Sequence, residues 1–461
     1  MRIQRLDESS KKNLLEDLLK RSPNQYTEYE NRVATILQTV KSEKDKAIFD
    51  YTKQFDGVEI SADTIRVTEA EIEEAYEKVD ASLIEIIRKA KENGATHVAV
   101  VMSGNCVQRG ETAIFGQRAR VRAALECGVD LVLQLPAVYA ASGAQSFARA
   151  GVRVLDALSC VDELVFGSEC GDSELILSAA KAVYSDEVQQ KTAEEIKTGI
   201  TFAAARENAL RAFDSRLADV IRKPNNILGV EYAAAIEACG SKMKPVTFKR
   251  IGAGHGENGG CDGIASASYI RELIKNGGEW QKFVPEAAAR IFEEELSAGN
   301  AVVNSAKFET AVLYKMRTVG GEELALAPDV SEGIENRILS AAASATSLDE
   351  LYDMAKTKRY THARIRRIIL DNLIGITAAD LAVPVPYIRL LGLNDRGAEL
   401  LKLTNESRKL PLISKTADIS QADSAAKRVF ELECRAADIR ALCCEKTAVC
   451  ASEKDYTVIK L

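Results

Sequence analysis

Between residues 95 and 251 the apolar positions fall in short unbroken runs rather than along a helical stripe. Val98-Ala99-Val100-Val101-Met102, Leu131-Val132-Leu133, Leu164-Val165-Phe166 and the stretch 245–251 are four such runs. Stretches rich in Ala and Arg, spaced as helices, separate them. Runs of this length without alternation are those of strands covered on both faces, and strands alternating with helices make a doubly wound parallel sheet. Before residue 93 the spacing is helical instead, over 7–21, 26–40 and 43–55, with Leu14, Leu15, Leu18 and Leu19 sharing one side of the first helix. Only Thr64-Ile65-Arg66-Val67 reads as extended there. Thr68 with Glu71 forms a capping box, Asp80 caps a further helix, and Asn93-Gly94 ends it. Beyond residue 285 the pattern returns to helices at 332–343, 347–357 and 363–374, with an extended piece at 384–391. The expectation is an α/β fold in three parts: a helical segment 1–93, an α/β domain 94–285 and a mainly helical domain 286–461.

Composition narrows the classes. No apolar run reaches the ~18 residues needed to cross a bilayer, and the charged start lacks a signal-peptide core, so the protein is expected in the cytoplasm. A net charge of -7 excludes a general basic coat for nucleic acid but not a local patch. Ten cysteines occur without a CxxC pair, and the group Cys434, Cys443, Cys444 and Cys450 has no histidine beside it, which reads as reduced, buried thiols rather than zinc ligands. Three histidines, His97, His255 and His362, weigh against a histidine-rich metal site or a Ser-His-Asp triad.

Two small-residue turns follow predicted strands: Ser103-Gly104-Asn105, continued by Gln108-Arg109-Gly110-Glu111, and Gly167-Ser168-Glu169. In an open α/β sheet ligands sit beyond the carboxyl ends of the strands, so both turns are expected at one sheet edge. Ordinary strand-to-helix connections would use the same residue types. The run Gly252-Ala253-Gly254-His255-Gly256 imitates a dinucleotide fingerprint, but its glycines continue to Gly263 and the helix starts only near Ala267, so it reads as a loop. Ser266, Ser268 and Arg271 at that helix start suit an anion, or Ser266 or Ser268 is a plain N-cap. Lys356, Lys358, Arg359, Arg364, Arg366 and Arg367, with Tyr360 and His362 among them, form the densest cationic cluster. That cluster is either a solvated helix face or a surface that tracks RNA phosphates and stacks bases.

Motifs in order carry two resemblances. Lys20-Arg21-Ser22-Pro23 with Tyr26-Thr27-Glu28-Tyr29-Glu30, then Tyr51-Thr52-Lys53-Gln54-Phe55-Asp56-Gly57, then Ile65-Arg66-Val67-Thr68 with Glu73-Glu74-Ala75-Tyr76, resemble the amino-terminal helical region of histidinol dehydrogenase. The likeness covers about the first fifth of the chain and none of that enzyme's zinc ligands or catalytic Glu-His pair. From Ala95 onward the chain resembles tRNA(Met) cytidine acetate ligase. Its marks are Val101-Met102-Ser103-Gly104-Asn105, Gln108-Arg109-Gly110-Glu111, Phe166-Gly167-Ser168-Glu169, Pro224-Asn225-Asn226-Ile227-Leu228-Gly229, Lys249-Arg250-Ile251-Gly252, Ile264-Ala265-Ser266-Ala267, Lys356-Thr357-Lys358-Arg359-Tyr360 and Lys409-Leu410-Pro411.

That resemblance implies a nucleotidyltransferase-like fold. It also implies activation of acetate with ATP, magnesium being the counter-ion, and transfer of the acetyl group to the wobble cytidine N4 of elongator tRNA(Met). It puts Gly167, Asn225 and Arg250 on ATP, with Gly104 beside them. Ser266, Ser268 and Arg271 fit the phosphate motif of the superfamily, and the 356–367 cluster is the tRNA contact. The family's first strand and its HxGH loop have no counterpart in this sequence. Gln117-Arg118 stands where the family has Lys-Trp, and Gln134 where it has Glu. Residues 64–67 are the candidate replacement for the first strand; if nothing fills that place, two strand edges stay unpaired. The first reading is therefore a ligase of this kind with activity impaired by the missing loop; the alternative is a non-catalytic tRNA-binding protein and the third a histidinol dehydrogenase.

Overall fold

In the computed structural model the described residues are 27–56, 61, 87, 89–250, 265–450 and 453–461. The expected helix 7–21, the strand 64–67, the caps at Thr68 and Asp80, and the glycine loop 252–263 lie outside them. The chain divides into two compact units, Met1–Ala75 and Tyr76–Leu461. In the first, α1 (Thr27–Glu43) and α2 (Asp45–Asp56) are joined at Lys44, whose φ of 53° makes the turn.

In the second unit the apolar runs become strands close to their expected places: β1 (Ala99–Ser103), the short β2 (Cys106–Val107) and β3 (Glu111–Thr112), β4 (Leu131–Leu135), β5 (Glu163–Ser168) and β6 (Lys244–Lys249). β1 pairs with β4 and β5 pairs with β6, both in parallel. The extended piece near 384–391 is β7 (Ile388–Leu393), and it joins β4 antiparallel, with Leu131 opposite Leu393. β8 (Leu412–Ile413) and β9 (Ile459–Lys460) then pair in parallel with the two ends of β7. The sheet is therefore parallel in its α/β part and antiparallel where the chain returns to it. Among the described residues no strand pairs with the second edge of β1 or with the free edge of β5.

Burial follows the period of two. Leu131, Leu133 and Leu135 of β4 enter the largest core, shared with the helices 334–344 and 362–374. Val132 faces the other way, onto Val121 and Leu125 of α3 (Gln117–Glu126). A Cβ at Gly392 would meet Val121 Cγ1 at 2.6 Å, so only glycine lets β7 run under α3. β4 and β7 are buried throughout, whereas β1, expected to be covered on both faces, is half-buried along its whole length. β1 and β5 share a covering layer: Val101 and Leu164 both pack against one cluster that includes Val152 and Leu155 of α4 (Ala144–Asp156) and Ile236 of α5 (Pro224–Ala238). Gly229 of α5 lies where a Cβ would meet the Phe166 ring at 2.5 Å, which seats the helix on β5. No helix of the described residues is long and apolar enough to cross a membrane.

Candidate functional site

The carboxyl ends of β5 and β6 are tied together by backbone and by small polar side chains. Thr247 Oγ1 donates to Ser168 Oγ at 2.7 Å, and Arg250 N donates to Ser168 O at 2.8 Å. Pro224 opens α5, leaving the next amides of the helix without an intrahelical acceptor. Glu169 supplies it. Its carboxylate accepts from Asn225 N at 3.2 Å, Asn225 Nδ2 at 2.8 Å and Asn226 N at 2.8 Å. Asn226 Oδ1 answers by accepting from Glu169 N at 2.9 Å and Cys170 N at 3.1 Å. A carboxylate at a positive helix end is favourable, and this one also fixes the Asn225 amide. Gly167, Asn225 and Arg250 are thus brought to one edge, Asn225 half-buried and Arg250 exposed.

Gly104 is elsewhere. It follows β1, on the other ladder, and the two turns expected at a single edge are not joined by backbone pairing, because no described strand bridges β1 and β5. A Cβ at Gly104 would collide with the Glu433 carboxylate, from α8 (Ser424–Cys443), and lie 3.2 Å from Gln117 Oε1. The protein's own packing demands a glycine there. Around this turn the chain buries a polar network. Asn105 Nδ2 donates to Glu453 at 2.9 Å, Glu453 pairs with Arg389 at 2.7 Å, and Arg120 donates to the Ser103 and Gly104 carbonyls. Gln134 Nε2 donates to Gln117 Oε1 at 2.8 Å. The Lys and Glu expected from the family are therefore replaced here by two amides that bond to each other. Glu433 accepts from Ala137 N at 2.6 Å, and burial with the neighbouring Glu453 pushes its carboxyl up to about 7.

The Gln108-Arg109-Gly110-Glu111 stretch forms the β2–β3 hairpin and docks on α7 (His362–Ile374). Glu111 pairs with Arg366 at 3.3 Å, and Arg366 lies 4.9 Å over the Tyr352 ring. Ser266 is the N-cap of α6 (Ala267–Asn276), its hydroxyl accepting from Tyr269 N at 3.2 Å. Ser268, two residues further in, accepts from Arg109 at 2.8 Å and from Arg271 at 3.4 Å. Arg109, Arg271, Lys275 and Arg366 line a cavity of about 730 Å³, with Phe115 and Trp280 on its wall.

The basic cluster splits. Lys356, Lys358 and Arg359 are exposed, before α7 begins. Arg364 donates to Asp329 O and Ser331 Oγ, Arg367 pairs with Asp329 at 3.3 Å, and Arg366 is held as above; all three are half-buried. Tyr360 is buried beneath Arg364, and its hydroxyl donates to Glu332 O at 2.8 Å, so its ring is not a surface for base stacking. Glu169, Asn226 and Glu111 were missed as organisers of the site. The signal for the first was Pro224, which marks a helix start whose amides need an acceptor.

The profile of the HIGH Nucleotidyl Transferase family matches residues 84–455, and that of histidinol dehydrogenase matches residues 19–126, overlapping the first. The chain is 35% identical over 384 residues to the tRNA(Met) cytidine acetate ligase of Acetivibrio thermocellus, covering 80% of this chain and 92% of that one. It is 36% identical over 374 residues to the ligase of Caldanaerobacter subterraneus subsp. tengcongensis, covering 79% and 92%. Among solved structures, apo Thermotoga maritima TmcAL matches with a TM-score of 0.77 at 28% identity, covering 82% of this chain and 96% of that one. The same Thermotoga protein bound with alpha-thio ATP matches with a TM-score of 0.75 at 28% identity, with the same coverage.

Proposed function

Because the chain belongs to the tRNA(Met) cytidine acetate ligase family of HIGH nucleotidyl transferases, we propose that it acetylates the wobble cytidine N4 of elongator tRNA(Met), in the cytoplasm, at the expense of ATP. An acetate oxygen attacks the α-phosphorus, and pyrophosphate leaves. The cytidine amine then attacks the acetyl carbonyl, and AMP leaves. Asn225, aimed by Glu169, reads the nucleoside; Gly167 lets it approach the backbone; Arg250 holds phosphate charge. Ser266, Ser268 and Arg271 take the far phosphates, with magnesium as their counter-ion; Gly104, enclosed by Glu433 and Gln117, takes no part. Lys356, Lys358 and Arg359 are the open tRNA surface, with Arg364, Arg366 and Arg367 shaping it from below. Such chemistry rests on positioning and charge stabilisation, so it needs no acid–base pair.

The observation that carries this reading is the assembled Glu169–Asn225–Arg250 edge within a family match spanning nearly all of the second unit. The sequence nonetheless contains no His-x-Gly-His. Each lost oxyanion-type contact costs about 10²–10³ in rate, so acetylation is expected to be slow. Acetate-dependent ATP–pyrophosphate exchange, with mass detection of N4-acetylcytidine in tRNA(Met), tests it: weak but acetate-dependent exchange is expected. Complete absence of exchange, with salt-sensitive tRNA binding retained, would favour the missing loop's other consequence, a non-catalytic tRNA-binding protein. Zinc-free protein that forms no NADH from histidinol disposes of the third alternative.

A further inference from the structure

At the mouth of the cavity two guanidinium groups from separate elements converge on one hydroxyl, Arg109 at 2.8 Å and Arg271 at 3.4 Å from Ser268 Oγ. Burial and the nearby Arg109 hold Arg271 below the ordinary guanidinium range. Glu111 of the same hairpin offsets the charge of Arg271 only in part, being 3.3 Å from Arg366, and of the other carboxylates on the cavity wall Glu309 accepts from Leu348 N. Nor is Arg109 placed by chance. Gly110 has φ of 79°, and a Cβ there would come within 2.6 Å of the Arg366 carbonyl carbon, so the hairpin lies flush on the backbone of α7. Arg109 thus meets Arg271 at the first turn of α6 from a fixed support, with Lys275 one turn further along the same cavity. Two like charges sharing one oxygen repel one another and are satisfied together by a multivalent anion.

We propose that Arg109 is a polyphosphate ligand, completing with Arg271 a two-guanidinium clamp for the terminal phosphates of a nucleoside triphosphate. It rests on the ATP reading above and adds to it a residue outside the phosphate motif, carried by a hairpin that the helical part of the chain holds in place. A compact polyphosphate suits the recessed site better than an RNA strand, whose backbone needs an open track such as that at Lys356 and Lys358.

The test is calorimetric titration of the full chain with inorganic triphosphate, which needs neither acetate nor tRNA. Losing one charge-assisted ligand should weaken binding about tenfold or more in Arg109→Gln, with part recovered in Arg109→Lys. The tRNA affinity of Arg109→Gln should stay within about twofold, because the exposed cations supply that term. Arg109 is exposed, so the variant is expected to keep the wild-type circular dichroism and melting temperature. Wild-type protein that shows no saturable triphosphate binding, an Arg109→Gln variant that binds it as tightly as wild type, or a loss confined to tRNA would each overturn the clamp. Triphosphate binding with no acetate-dependent exchange would instead fault the ligase reading alone.

Discussion

The two ladders of the second unit are finished by different means. β4 is sealed by a strand from far along the chain, β7, and the junction buries the Arg389–Glu453 pair with Asn105, Gln134 and Glu433 around it. The β5–β6 ladder has two strands, and its end is finished locally, by one carboxylate capping one helix. The first arrangement is a rigid, dehydrated polar core, the second a half-exposed edge whose groups remain available. A site that must admit a nucleotide belongs on the second, where Gly167, Asn225 and Arg250, three of the residues expected to meet ATP, lie together. Gly104, on the first, is enclosed by the protein itself.

The sharpest way to break this contrast is Arg389→Ala. It strands a buried Glu453, and a cost of about 3–5 kcal/mol is expected in chemical denaturation. Replacing Glu433 by Gln separates the two ladders by pH. Its folded carboxyl, raised to about 7, makes wild-type stability fully present below the unfolded value near 4.5 and lost as pH climbs through 7. The Gln variant should lack that decline, a difference of up to about 3 kcal/mol at pH 8; parallel stability–pH curves would show that Glu433 titrates normally. On the other ladder, Glu169→Ala removes a helix cap and should cost only about 1–2 kcal/mol. Nucleotide affinity should fall far more than that in the same variant, because Asn225 loses its anchor, and equilibrium dialysis with ATP reads it. Least of all, Lys356→Ala with Lys358→Ala should alter stability by no more than about 0.5 kcal/mol. The slope of log affinity for tRNA against log salt should become shallower by about one per cation removed.

Local pattern made much of this legible. Apolar runs located β4, β5 and β6, the helical period located the helix His362–Ile374, and the delayed helix after the glycines starts at Ala267 as read. What the period of a strand does not carry is the identity of its neighbour. Nothing in residues 384–391 says that they will pair antiparallel with β4, so the mixed character of the sheet was invisible. The buried network was hidden for a related reason. Glu433 lies in a helix among other charged residues, and an acid reads as solvated until a second element, here the turn at Gly104, is known to lie on it. Tyr360 misled in the opposite sense: an aromatic between cations resembles a stacking platform, but the cation beside it is its lid. Exposure, not residue type, separates Lys356, Lys358 and Arg359 from Arg364, Arg366 and Arg367.

The late arrival of β7 and β9 also governs how the molecule is made. β4 emerges from the ribosome hundreds of residues before the strands that cover it, and until then its most hydrophobic ladder has only β1 for company. Synthesis therefore passes through a prolonged stage in which a greasy half-sheet waits for its lid, whereas the capped β5–β6 pair can settle as soon as it appears. Chaperone demand in the cell should accordingly track the delay before residue 388 is translated, more than the stability of the finished protein.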